Sequence, residues 1–181
     1  MTNLVKSVFL LSLVVATTAM AQETRTEARD LRSTEQPWSG SIAVGPAFAA
    51  GLKSKNALYD VAGAVNYNFN QEVSGKVFAD MAFAEQSKDE YFYNFGAGAN
   101  YAPMAWSMRK ASPYVSADAG YGSTRNAGES KKDALAVGAA GGMRFLTQAL
   151  NWDLQVHYAV LTAQNEGTTP SVVAVRGGVN F

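Results

Sequence analysis

From Trp38 to Phe181 the chain sets large apolar residues against small or polar ones at every second position, through eight successive segments. Period two belongs to an extended strand with two unlike faces, whereas a helix needs a period near 3.6. The first segment places Trp38, Ile42, Val44, Pro46 and Phe48 on one face, and Ser39, Ser41, Ala43, Gly45, Ala47 and Ala49 on the other. The seventh opposes Trp152, Leu154, Val156, Tyr158 and Val160 to Asp153, Gln155 and His157. Stretches such as LKSKN, EQSKDE and QNEGTTP separate the segments. Many of the 16 glycines fall inside the alternating segments, and each would cost about 1 kcal/mol relative to Ala in a helix.

The second face decides what kind of sheet this is. In a soluble sandwich it would be a solvent face rich in Lys, Glu and Thr, on strands of about five or six residues. Here it is Ala, Gly, Ser and Asn with single charges, and only 17% of the chain is charged, against about 25% in soluble domains. That composition suits a confined interior. Segments of about ten to thirteen residues also match the ~9–11 needed to cross a bilayer at a tilt. Up-and-down threading gathers Trp38, Tyr67, Phe69, Tyr101, Phe145, Trp152 and Phe181 at one rim, and Phe48, Tyr59, Phe83, Tyr91 and Tyr121 at the other. Aromatic residues at two levels are the interface anchors of a membrane protein. The expected fold is all-β: an eight-stranded antiparallel up-and-down transmembrane β-barrel over residues 38–181.

The first 21 residues combine Lys6, the apolar run VFLLSLVVA and the small-residue site Ala19-Met20-Ala21. The run is too short for a membrane span, so 1–21 is expected to be a signal peptide cleaved after Ala21, with Ala19 and Ala21 flanking Met20 at the site. Residues 22–37, with many charges and one large aliphatic residue, Leu31, cannot offset their ordering entropy by burial and are expected to form a mobile segment. There is no Cys, which removes a lipid anchor on Cys, disulfides and thiolate chemistry. With 15 basic and 15 acidic residues and no cationic cluster, nucleic-acid binding is excluded as a reading.

The small-residue site at Ala19 and Ala21, the eight alternating segments and the final strand ending Val179-Asn180-Phe181 together resemble the eight-stranded outer-membrane barrels of Gram-negative bacteria, the outer membrane protein A transmembrane domain and its small relatives. The resemblance implies residence in the outer membrane, contact with its lipids, and recognition by the barrel-assembly machinery. That recognition is carried to Phe181, with Val173, Val175 and Val179 as its apolar partners. A monomer is expected, without the peptidoglycan-binding domain of outer membrane protein A. Lys131 and Lys132 are candidates for contact with lipopolysaccharide phosphates.

An eight-stranded barrel is just wide enough to be filled by side chains. Parity directs Asp60, Lys76, Asp80, Asp118, Arg144, His157 and Arg176 into that interior. Isolated buried charges cost several kcal/mol each, so these should pair, with Asn66, Asn94, Asn100 and Gln155 as hydrogen-bonding neighbours. The expected function is structural, in envelope integrity or surface contact, with a side-chain-filled lumen; the alternatives are a narrow ion pore and, less favoured, a lipid-modifying enzyme. His157, the one histidine, has no Ser two residues on and lies ~13 Å along the strand from Asp153. It is therefore expected to be a lumen residue hydrogen-bonded to the Arg176 strand, and no catalytic residue, cofactor or metal is assigned. The runs Gly96-Ala97-Gly98 and Gly138-Ala139-Ala140-Gly141-Gly142 lack the Lys and Ser/Thr of a phosphate loop. They are expected to give room to bulky neighbours such as Phe78, Phe92 or Tyr114.

Overall fold

The computed structural model describes residues 37–50, 58–84, 90–106, 111–126, 130–145, 147, 151–162 and 169–181. The expected signal peptide, its Ala19 and Ala21, and residues 22–36 lie outside them. The alternation is realised as eight strands: β1 (Trp38–Ala50), β2 (Leu58–Asn68), β3 (Val73–Ala84), β4 (Tyr91–Tyr101), β5 (Ala111–Arg125), β6 (Lys132–Phe145), β7 (Asn151–Leu161) and β8 (Ser171–Asn180). A short 3-10 turn, Met104–Trp106, precedes β5. The strands close a barrel in sequence order, each antiparallel to the next and β8 to β1.

Closure leaves no open sheet edge, and edges are what lipid cannot tolerate. The seam is completed at the lower end, where β1 begins. There Phe181 donates its N–H to the Gly40 carbonyl (3.0 Å) and Gly40 donates to the Phe181 carbonyl (2.7 Å). The ring of Phe181 covers Gly40 so closely that a Cβ there would stand 2.5 Å from it.

The outer surface inverts the order of a soluble protein. Val44, Val65, Val77, Leu135, Leu154 and Val156 are all exposed, forming an apolar band with no protein against it, as a lipid-facing surface requires. The lower rim carries Trp38, Tyr67 and Phe69 in successive edge-to-face contacts, with centroids 4.8 and 5.3 Å apart. Trp106 extends this girdle from the 3-10 turn to the ring of Tyr101. At the upper rim Tyr91 stacks on Tyr93, and Tyr93 and Phe95 both meet Tyr121.

Glycines set the lumen's shape. Tyr114 lies over Gly142, where a Cβ would stand 2.7 Å from its ring, as the bulky-neighbour reading expects. Leu161 occupies the same kind of space over Gly122, and Asp118 and His157 do so over Gly138.

Candidate functional site

The inward side chains fall into three layers. The uppermost is apolar: Leu58, Phe92 and Leu161 pack with Ala82, Ala136 and Val172, all nearly inaccessible. Leu58, Phe92 and Leu161 come from the upper ends of β2, β4 and β7, where the pleat turns every second residue inward whatever its chemistry.

The middle layer is a charge network. Arg176 on β8 spans the lumen to β2, donating from Nε to Asp60 Oδ1 and from Nη2 to Asp60 Oδ2, both at 2.8 Å. Its Nη2 also donates to Asp80 Oδ2 on β3. His157 on β7 places Nδ1 3.3 Å from Asp80 Oδ2 and Nε2 3.4 Å from Asp118 Oδ2. Lys76 on β3 donates to Asp118 Oδ2 (2.8 Å) and to Ser116 Oγ (3.3 Å). Asp60, Asp80, Asp118, His157 and Arg176 are all buried. Bidentate Arg–carboxylate geometry is the strongest form of such a bond, and in a low-dielectric interior each partner depends on the others.

The lowest layer is a second, wetter cluster. Asp153 accepts from the Tyr114 hydroxyl (2.7 Å) and from Asn180 (3.5 Å), with Arg144 Nε 3.7 Å from its second oxygen. The Arg144 guanidinium lies over the Tyr114 ring, 5.5 Å from its centroid. Around these residues runs a cavity of about 60 Å³, room for about four waters at ~15 Å³ each. A second cavity of about 50 Å³ shares Asn100, Tyr114 and Arg144 with it and reaches the turn at Asn70 and Glu72.

Three sequence expectations change here. The expected single network is two clusters: Arg144 sits beside Asp153, its direct register partner on β7, and away from the central group. The His157 side chain makes its polar contacts away from the Arg176 strand, with Asp80 and Asp118. Ala174 is opposite it on β8, and its imidazole reaches across the lumen to β3 and β5 instead. The expected amide support is also redistributed, since Asn100 donates to Asn66 and Ser74, both at 3.1 Å, and Gln155 accepts from Tyr114. Sequence reasoning missed Leu58 and Leu161, the joining of Phe92 with them into an apolar layer, and the part of Asp153 in the charge clusters.

On the outer surface at the upper rim, Lys131 lies over the rings of Tyr93 and Tyr121, 5.5 and 5.9 Å from their centroids. It pairs with Asp133 at 3.1 Å. Hydrogen bonds to Tyr93 and then to Asp133 hold its ammonium above the usual lysine range. No group of His and acidic side chains suited to a metal ion occurs among the described residues.

No protein-family model and no curated protein matches the chain. Among solved structures it is similar to Neisserial surface protein A, with a TM-score of 0.66 and 15% identity over 80% of this chain and 96% of that one. It is also similar to the N-terminal β-barrel domain of OprF from Pseudomonas aeruginosa, with a TM-score of 0.56 and 11% identity over 81% of this chain and 98% of that one. At these identities the likeness is one of fold. The closed eight-strand topology, the apolar exterior and the two aromatic girdles give the chain the fold of an eight-stranded antiparallel up-and-down β-barrel, the fold of these outer-membrane proteins.

Proposed function

We propose that this protein is a monomeric structural component of the outer membrane, supporting envelope integrity and surface contact, whose lumen is closed to solutes. The observation that carries the reading is the pairing of the central charges, Arg176 with Asp60 and Asp80 and Lys76 with Asp118, beneath a layer of buried apolar side chains. Every strand contributes to one or other layer, so lumen contacts tie the barrel together. Both nitrogens of His157 face carboxylates rather than a hydroxyl, which supports a non-catalytic role. The lower end, with Pro37 and Phe181, then faces the periplasm, and the upper rim lies at the level of the outer leaflet. There the Lys131, Tyr93 and Tyr121 group offers a cation on aromatic faces, suited to the phosphates and sugars of lipopolysaccharide. Lys132 lies at the start of β6, beside it in sequence.

The narrow-pore reading has one observation in its favour, the water-sized cavities of the lower lumen. Deleting the gene from its host separates the two. The structural reading expects greater sensitivity to detergents and to antibiotics too large for porins, restored by the intact chain. Unchanged sensitivity with slower uptake of small ions or solutes would replace it with the pore.

A further inference from the structure

The two halves of the lumen differ in kind. No side chain of the apolar layer borders either cavity, and the cavity wall ends upward at Asp118, His157 and Arg176. Below that level the wall mixes polar side chains, among them Lys76, Asn100, Arg144 and Asp153, with Ala43, Ala62 and Phe78, and turns mainly polar toward the turn between β2 and β3. Above it, Leu58 and Phe92 are almost completely buried, and Leu161 fills the space over Gly122. A small ion meets Lys76, Asn100, Arg144 and Asp153 along the lower half, whereas the layer of Leu58, Phe92 and Leu161 offers it no polar side chain. An apolar constriction excludes ions by refusing them water, without any charge opposing them.

We infer that the lumen is a one-ended vestibule: periplasmic water and small ions reach the central charges from below, and the Leu58, Phe92 and Leu161 layer is the gate that shuts them off from the cell exterior. The inference rests on the closed-lumen reading and adds the place of closure. Arg176→Ala widens the vestibule and leaves the apolar layer standing.

Planar-bilayer recordings of two variants test this, beside the parent so that the closed-lumen reading is judged separately. Leu58→Ser with Phe92→Ser should raise small-ion conductance at least ~10-fold over the parent, while Arg176→Ala should leave it at the parent's level. A folded seal variant that stays silent, or an Arg176→Ala variant that conducts, overturns the assignment. Because the chain has no Cys, thiol probes give a second readout that does not depend on the seal variant folding. In detergent, Asn100→Cys should react promptly with a charged methanethiosulfonate, and Ala136→Cys, within the apolar layer, only on unfolding. Equal labelling of the two folded proteins would overturn the inference as well.

Discussion

Arg176→Ala is expected to lower the unfolding free energy in detergent by about 3–5 kcal/mol, read from urea transitions followed by tryptophan fluorescence. The side chain makes three donor contacts, two to Asp60 and one to Asp80, and all three groups are buried. Its removal leaves two carboxylates near one another without their shared cation, and the cost is that of uncompensated buried charge, larger than the net worth of the original pair. Adding Asp60→Asn removes one of those charges and should recover part of the loss. Such non-additivity is the mark of residues acting as one unit. A change below ~0.5 kcal/mol for Arg176→Ala, the size of an exposed pair, would show that water reaches these groups freely and that the network does not hold the barrel together.

Phe181→Asp is expected to leave export intact but to block most assembly, with protein accumulating in the periplasm, while the purified variant refolds into detergent with nearly the parent's stability. The two readouts differ for a physical reason. Phe181 seals the β1–β8 seam through backbone bonds to Gly40, which any side chain permits. Its ring lies at the lower interface, about 41% exposed, where an acidic residue on the lipid side costs only ~0–1 kcal/mol. A large assembly defect with little loss of stability therefore points to recognition of the ring during insertion, with Val173, Val175 and Val179 presenting the rest of that face. Normal insertion of the variant in cells would remove this role.

Most of the barrel is legible in the sequence because each strand has unlike faces, and a period of two then fixes both strand and orientation. The alternation loses force where a residue breaks it. Phe92 stands between Tyr91 and Tyr93, so three aromatics in a row hide that the middle one points inward. Leu58 and Leu161 are the terminal residues of β2 and β7, where parity has no neighbour on one side to confirm it. The apolar layer is built from these positions and is invisible to a rule that sends apolar residues outward. Arg144 and Asp153 were within reach, because a short connection between β6 and β7 sets the two opposite one another. The reach of His157 to Asp80 and Asp118 was not. Contacts across the lumen depend on the stagger of the closed sheet, which no single strand encodes.

The central claim is that this barrel holds its lumen shut. Conductance of the purified parent protein in planar bilayers at high salt tests it most directly. The account predicts a current indistinguishable from the protein-free membrane. Steady, reproducible unit steps that scale with salt concentration would contradict it.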